Sequence, residues 1–453
     1  MDVSVVVLAA GKGSRMKSSM PKVLHPLAGK PLAQHVVDTA RQFATDISLV
    51  IGHGAEQVRA QFKDQPVRMV LQEEQLGTGH AVAQALSELP TAGVVLVLYG
   101  DVPLIRAETL ARLTAQVSDR SMSLLTVNLD DPSGYGRILR NGDGLVQAIV
   151  EEKDTNEAQK AIREVNSGIL AVPAWMLHDW LPRLGNDNSQ GEYYLTDLIA
   201  MAVAEGIMVE TTQPAMLEET LGVNNRIQLA QLERYYQRMQ AEHLMLSGAT
   251  LRDPDRVDIR GEVTVGSDCE IDINVVFEGW VELGRNVSIG PNVVLRNVRI
   301  GEGARVESHT VIEDSELGAG VIVGPFARLR PGNHLSERAK IGNFVELKKA
   351  RIGPGSKINH LSYIGDAELG EASNVGAGTI VCNYDGVNKH LTQIGSGVFI
   401  GSNSTLVAPV TIEDGAFIGA GTVLTKTAPA EKLTLGRSRQ VTIENWKRPE
   451  KAD

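Results

Sequence analysis

The chain has 453 residues, 43% hydrophobic and 22% charged, the make-up of a folded globular protein rather than a disordered one. Its 44 Lys and Arg against 55 Asp and Glu leave a net charge of −11, which argues against a nucleic-acid coat or a membrane-surface binder. No apolar run approaches the length of a membrane span, the start lacks a basic leader, and Cys269 and Cys382 make neither a disulfide framework nor a metal motif, so a cytoplasmic protein with no nucleic-acid or membrane partner is expected.

The runs at 3–10 (VSVVVLAA), 46–52 (DISLVIG), 67–72 (VRMVLQ) and 94–101 (VVLVLYGD) read as buried strands alternating with helical stretches. That order predicts an α/β domain with a largely parallel sheet, whose ligands sit at the carboxyl ends of the strands. The first turn, LAAGKGSRMKSSMPK (8–22), is neither a Walker A loop nor a dinucleotide fingerprint. It offers bare backbone N–H groups with Lys12, Arg15 and Lys22, which suits a polyphosphate, although a plain strand–turn–helix connection would read the same way. Asp101 closes the strand in LYGDVPL, placed either to hold Mg2+ or to cap a helix. From Asn225 to Gly248 one long helix is predicted, with Leu229, Leu232, Tyr236 and Met239 on one stripe, Asn225 as cap and Gly248 as stop.

The last ~200 residues carry a six-residue period, which fits neither a helix nor a coiled coil. Val257, Val263, Cys269, Val275, Val281, Val287 and Val293 are in phase. The phase slips at Ile300 and Val306, slips again at Leu317, Val323 and Leu329, and returns at Ile394, Ile400, Leu406, Ile412 and Ile418. Three hexapeptides per coil predict a parallel β-helix of 18-residue coils, about ten of them rising roughly 45–50 Å. The period fixes neither its hand nor a subunit number, and a left hand would break the usual crossover rule. Two stretches, LRPGNHLSERAKIGNF (329–344) and CNYDGVNKHLTQ (382–393), interrupt the period and are expected as loops, either binding or merely tolerated.

The motifs LAAGKGSRM with PK, QEEQLGTGHA, LYGDVPL, GYGRI, NSGIL, GEYYLTD and GVNNR together resemble those of sugar-1-phosphate nucleotidyltransferases. With NFVELKKA, NHLSYIGDA, GAGTIVCNYDG and GSNSTLVAP in the array, nearly the whole chain resembles the bacterial bifunctional N-acetylglucosamine-1-phosphate uridyltransferase/glucosamine-1-phosphate acetyltransferase family. The resemblance implies an α/β nucleotidyltransferase domain with a Rossmann-like mixed sheet (1–226), a linker helix (227–247) and a left-handed parallel β-helix of hexapeptide repeats (248–453). It implies acetyl transfer from acetyl-CoA to glucosamine-1-phosphate, then uridylyl transfer from UTP to N-acetylglucosamine-1-phosphate. It also implies Mg2+ and a homotrimer with acetyltransferase sites between subunits.

By the same resemblance, Leu8, Ala9, Ala10, Gly11, Lys22, Gln72, Gly77 and Thr78 match nucleotide-binding positions, with Arg15 and Lys22 stabilising the phosphoryl transition state. Tyr99, Gly100, Gly136, Glu151 and Asn166 match the sugar-phosphate site, and Asp101 and Asn224 the metal ligands. In the array, Arg330 and Lys348 match the groups that hold the sugar phosphate. His360 matches the general base, and Glu346 a partner that orients it or supports its charge. Tyr363 and Asn374 match acceptor-site residues, as do Asn383 and Tyr384, which also border the acetyl-CoA site. Ala377, Ser402, Ala420 and Arg437 match acetyl-CoA contacts. A histidine suits this chemistry, because an amino sugar attacks a thioester only after losing a proton. Cys382 reads as an inert thiol rather than an acyl carrier. The chain departs from the family pattern at Ser14, where Thr is frequent, and at Asn359, where some members have Gly. Two other readings share these folds: a nucleotidyltransferase with a purely structural β-helix, and a non-enzymatic scaffold. The retained polar set argues against both.

Overall fold

The computed structural model describes residues 2–449. They divide into two compact units, Met1–Tyr236 and Gln237–Asp453. The first unit is a sheet with helices on both faces. Its elements in chain order are β1 (Val3–Ala9), α1 (Leu32–Ala40), β2 (Asp46–Ile51), α2 (Ala55–Phe62), β3 (Arg68–Leu71), α3 (Thr78–Gln84), β4 (Val94–Tyr99) and α4 (Ala107–Ala115). There follow β5 (Ser121–Asn128), β6 (Arg137–Arg140), β7 (Val146–Val150), β8 (Glu164–Pro173), α5 (Asp197–Ala204) and β9 (Met208–Thr212); α6 (Arg226–Leu246) begins in this unit and continues into the second.

β1 is aliphatic from Val5 to Ala9 because both its faces are covered there, and its one polar residue, Ser4, donates to Asp46 at 3.0 Å. Val5, Val7 and Ala9 pack with α1, α2 and α4 through Val36, Phe62 and Leu110. Val6, Leu8 and Ala10 pack on the other face with Val82 of α3 and Leu198 of α5. The strand order is β9-β5-β8-β4-β1-β2-β3. β1 lies parallel to β2 and β4, whereas β8 runs antiparallel to β4 and β5. The sheet is therefore mixed, as the family resemblance implies, and less parallel than the strand–helix alternation alone predicts.

α6 begins where Asn225 Oδ1 accepts from the N–H groups of Ile227 and Gln228, both at 2.9 Å, an N-cap that satisfies two otherwise unpaired donors. Leu232 on its first half is buried with Met16, Leu27 and Leu32. The chain leaves this helix at Gly248, whose φ of +105° suits only glycine.

The second unit is a parallel β-helix. Two long stacks of parallel strands carry it, and the aliphatic period points inward: Cys269, Val275, Val287, Val323, Ile400 and Ile418 are all buried in one continuous core. Val263 is the exception, only partly covered. The expectation of uniform 18-residue coils needs correction. Val257 faces Val275, 18 residues on, but Val294 faces Val311 and Val311 faces Arg328, steps of 17 (311 − 294, 328 − 311). These shorter coils are the physical origin of the phase slips. The corners stack as columns of left-handed residues; one runs Gly279, Asn297, Asp314, Gly332, Lys349, Asp366. Asn and Asp tolerate that conformation better than other non-glycine residues.

The stretch 329–344 is not a loop, and that expectation is overturned. It holds strands Asn333–Leu335 and Lys340–Asn343, and Leu317 faces Leu335 while Val323 faces Ile341, both 18 residues on (335 − 317, 341 − 323). Leu329, Leu335, Ile341 and Leu347 continue the period of six, hidden by polar residues that face outward. Of these two stretches, 382–393 does leave the coil: Ile380 faces Thr405, 25 residues on (405 − 380). The coils stack so closely that a Cβ on Gly342 would lie 2.0 Å from the Asn359 carbonyl oxygen. Gly342→Ala is therefore expected to destabilise the solenoid by about 1–3 kcal/mol, the usual range for overpacking. Equilibrium unfolding in urea measures it; an unchanged midpoint would contradict this packing.

Candidate active sites

The first site forms where β1 and β4 end side by side. The chain leaves β1 through Gly13, at φ +55°, and a Cβ there would lie 2.6 Å from Lys22 Cβ. The bare glycine thus lets Lys22 fold back against the turn. Its ammonium meets the Asp101 carboxylate at the end of β4 and Asn224 Oδ1 at 3.2 Å. Arg15 Nη2 donates to the same Asn224 oxygen at 2.9 Å. Asn224 is held near Asp101 because the Val223 N–H donates to the Asp101 carbonyl at 2.9 Å. Two cations and two oxygen donors from distant parts of the chain thus converge.

Beside them opens a cavity of about 400 Å³. Leu8, Ala9, Ala10, Gly11, Lys22, Gln72, Gly77, Thr78, Tyr99 and Asp101 line it, together with Lys12, Gln75 and Glu192. Nothing stands within 4 Å of where a Cβ of Gly11 would be, so this backbone is open to a ligand. Gln72 is fixed by bonds to the Gly77 carbonyl (3.2 Å) and His80 Nδ1 (3.0 Å). Gly100 N–H donates to the Leu8 carbonyl at 2.9 Å, tying the two strand ends together. Gly136, Glu151 and Asn166 do not line the cavity but form a second cluster. Asn166 N–H donates to the Gly136 carbonyl at 2.8 Å, and a Cβ on Gly136 would lie 3.4 Å from a Glu151 carboxylate oxygen. Burial pushes the Glu151 carboxyl above its ordinary range, opposed by a 3.1 Å bond from the Thr196 hydroxyl. Burial, then the charges of Glu151 and Asp101, push the Tyr99 hydroxyl up. Gln75, Glu192 and Thr196 escape the residue-by-residue sequence reading, although two lie in the quoted GEYYLTD.

Among the described residues no group of three or more His, Cys, Asp or Glu side chains converges as a metal cage. Asp101 and Asn224 nevertheless fit a hard cation. Both present oxygen to one ammonium, and Mg2+ characteristically takes one or two protein oxygens and completes its shell with phosphate and water.

The second site lies on the solenoid. Lys348 Nζ meets Asp366 at 3.2 Å, and the Asn383 amide donates to the same carboxylate. Lys389 lies against Lys348, whose ammonium pushes the Lys389 amine below its ordinary range. Arg330 adds to that repulsion from its own coil. Three cations thus share two carboxylates, Asp366 and Glu346, a surplus an anion would relieve. Lys389 is the residue sequence reading missed here: it rides the extruded 382–393 loop, where spacing gives no signal. A Cβ on Gly365 would lie 2.4 Å from the Tyr363 hydroxyl and 3.0 Å from the Asn383 amide nitrogen, so the glycine makes room for both. Tyr384 is exposed on the same loop, and Asn374 begins a strand paired with that of Lys357.

His360 ends the strand Lys357–His360. Its Nδ1 meets Asn343 Oδ1 at 2.6 Å. Glu346 does not pair with it: its carboxylate accepts from Arg330 at 3.2 Å. A separate outer-face series of ion pairs runs through Arg260, Glu278, Arg296, Glu313 and Arg328, and Arg328 stands opposite Glu346 in the strand register. From His360 a column climbs the coils. Gly378 N–H donates to the His360 carbonyl (3.3 Å), Asn403 N–H to Ala377 (2.8 Å), Gly421 N–H to Ser402 (2.8 Å) and Arg437 Nη1 to Ala420 (2.7 Å). The three backbone links step from coil to coil at about 4.8 Å each, roughly 14 Å, and the Arg437 side chain adds to the column. Cys269 is buried, and burial pushes its thiol up; Cys382 is exposed.

The fold and these sites define a transferase built of a nucleotidyltransferase domain and a hexapeptide-repeat solenoid. Residues 5–164 match the model of the MobA-like NTP transferase domain, and residues 262–297 and 391–426 match that of the bacterial transferase hexapeptide (six repeats). The chain is 60% identical over 449 residues to the bifunctional protein GlmU of Marinobacter nauticus, covering 99% of each. It is 57% identical to those of Alkalilimnicola ehrlichii, over 99% of this chain and 96% of that one, and of Stutzerimonas stutzeri, over 100% of each. The chain belongs to the family of bifunctional GlmU proteins.

Proposed function

We propose that this chain makes UDP-N-acetylglucosamine in two reactions. It acetylates glucosamine-1-phosphate with acetyl-CoA, then transfers the uridylyl group of UTP to the N-acetylglucosamine-1-phosphate so formed, releasing pyrophosphate. The observation that carries this reading is one chain holding two cation-rich sites of different chemistry: Lys22 and Arg15 on Asp101 and Asn224, and Lys348 and Lys389 with Asp366 on the solenoid that also carries His360. Residues 1–226 carry the uridyltransferase, 227–247 the linker and 248–453 the acetyltransferase, of which 450–453 lie outside the described residues.

In the first site, the backbone of Leu8 to Gly11 with Gln72, Gly77 and Thr78 holds the nucleotide. Tyr99, Gly100, Gly136, Glu151 and Asn166 hold the sugar phosphate. A sugar-phosphate oxygen attacks the α-phosphorus; the new P–O bond forms as the bond to pyrophosphate breaks. Arg15 and Lys22 neutralise the charge that develops, so catalysis rests on positioning and electrostatics. Asp101 and Asn224 would hold Mg2+, which supplies further charge neutralisation when bound.

In the second site, Arg330, Lys348 and Lys389 hold the phosphate, with Tyr363, Asn374, Asn383 and Tyr384 around the sugar. His360 takes the amine proton. The column through Ala377, Ser402, Ala420 and Arg437 suits a long, thin ligand such as acetyl-CoA. The chain works as a cytoplasmic homotrimer. The stacked, exposed rings of His309, Phe326 and Phe344, 4.7 and 5.3 Å apart, support burial against other copies.

Glu151 yields an opposed pair of effects. A carboxyl raised by burial contributes stability below its ordinary range, and that contribution is lost as pH rises through the raised value. At neutral pH, Glu151→Gln should therefore raise the unfolding midpoint. It should also raise the KM for N-acetylglucosamine-1-phosphate about tenfold or more, the usual cost of losing a charged hydrogen-bond partner. Thermal unfolding at pH 5 and pH 8, with steady-state kinetics, checks both signs.

The reading is tested by supplying the purified chain with glucosamine-1-phosphate, acetyl-CoA, UTP and Mg2+ while following free thiol and pyrophosphate. Release of both supports it. Pyrophosphate from the acetylated sugar with no thiol from any substrate would make the solenoid a scaffold.

A further inference from the structure

The acetyltransfer reading gives His360 the proton, and a neutral imidazole can accept one only on the nitrogen that carries no hydrogen. Which nitrogen that is depends on what the other one bonds. We infer that Asn343 is a positioning residue that fixes this choice. Asn343 ends the strand Lys340–Asn343, His360 ends the strand Lys357–His360, and parallel pairing sets the two opposite each other on adjacent coils. The backbone is pinned at the same point, because the Leu361 N–H donates to the Asn343 carbonyl at 3.1 Å. The next residues, Phe344 and Leu361, both turn the corner in the left-handed conformation at φ +56° and +51°, so both side chains sit at the same place in their coils. The Asn343 amide oxygen lies 2.6 Å from His360 Nδ1.

An amide oxygen only accepts, so the hydrogen sits on Nδ1 and the lone pair on Nε2. Glu346, engaged by Arg330, does not supply this acceptor. During transfer the amine nitrogen of the sugar forms a C–N bond to the thioester carbonyl carbon and the C–S bond breaks. The amine proton passes to Nε2, and the thiolate, leaving with the electron pair, takes a proton back from the imidazolium. Asn343 holds the ring through the whole exchange and touches neither substrate.

The test uses full-chain Asn343→Leu, which keeps the size but loses the acceptor, and Asn343→Asp, which keeps the acceptor. Thiol release is measured at saturating and limiting glucosamine-1-phosphate, with uridylyl transfer to N-acetylglucosamine-1-phosphate as a control on folding. The inference requires kcat for thiol release to fall about 10- to 100-fold in Asn343→Leu, part of the 10²–10⁴ that a positioned base supplies. KM should stay within threefold, uridylyl transfer should be unchanged, and Asn343→Asp should recover most of the kcat. An unchanged kcat, a change confined to KM, or equal losses in both variants would overturn it. A wild-type chain that releases no thiol would instead defeat the acetyltransfer reading on which it rests.

Discussion

Thiol release is expected to fall by about 10²–10⁴-fold in His360→Ala, the usual contribution of a positioned general base. Pyrophosphate release from N-acetylglucosamine-1-phosphate should stay within twofold of wild type. The expectation follows from where His360 sits. It is a strand end, exposed on the solenoid, and its ring bonds the Asn343 amide oxygen. Its removal opens no cavity and should leave the fold intact. The ammonium form of the substrate amine then has no proton acceptor, so the deficit falls on kcat more than on binding. Side-by-side assays of thiol and pyrophosphate measure both halves. Equal loss of both products would show that the effect runs through folding; no loss of thiol would remove His360 from the chemistry.

Lys22→Ala should produce the mirror image. Pyrophosphate release is expected to fall by about 10²–10³-fold, the cost of removing one preorganised donor from a charged transition state, while thiol release persists. Lys22 is the hub of the first site: its ammonium meets Asp101 and Asn224, and Arg15 shares Asn224. Its loss also leaves Asp101, with a side chain only 15% exposed, without its cation, so a lower unfolding midpoint should accompany the lost activity. Lys22→Arg should recover little. The ammonium is a compact point charge in a space that Gly13 holds open, and a planar guanidinium is a different shape. Kinetics of both reactions on the three chains decide this. A Lys22→Ala chain with normal pyrophosphate release would move the phosphoryl site elsewhere.

Much of the fold was legible because its cores are periodic. β1 from Val5 to Ala9 and β4 from Val94 to Leu98 are aliphatic runs, since both faces are buried, and the solenoid writes one inward residue every six. What misled was polarity on outward positions. His334, Glu337 and Arg338 made 329–344 look like an insertion, while Leu335 and Ile341 kept the inward phase. β5 and β8 were hard to read because serines and asparagines dilute their apolar pattern, and β8 pairs antiparallel with strands distant in sequence. Site residues followed the same division. Lys12, Arg15, Lys22 and Asp101 stand next to strand ends, where local chemistry points to them. Asn224 joins Lys22 from 202 positions away, Lys389 reaches Lys348 from an extruded loop, and Asn343 meets His360 across a coil. No local pattern encodes such pairs; the resemblance to a known family supplied the first, and the coordinates the other two.

The central claim is that one chain carries two independent active sites. Mixing His360→Ala with Lys22→Ala tests it most directly, in the presence of glucosamine-1-phosphate, acetyl-CoA, UTP and Mg2+. Neither variant alone should make UDP-N-acetylglucosamine at an appreciable rate. Together they should, because the Lys22 variant acetylates the sugar phosphate and the His360 variant uridylylates the product. A mixture no more active than its parts would contradict two independently working sites.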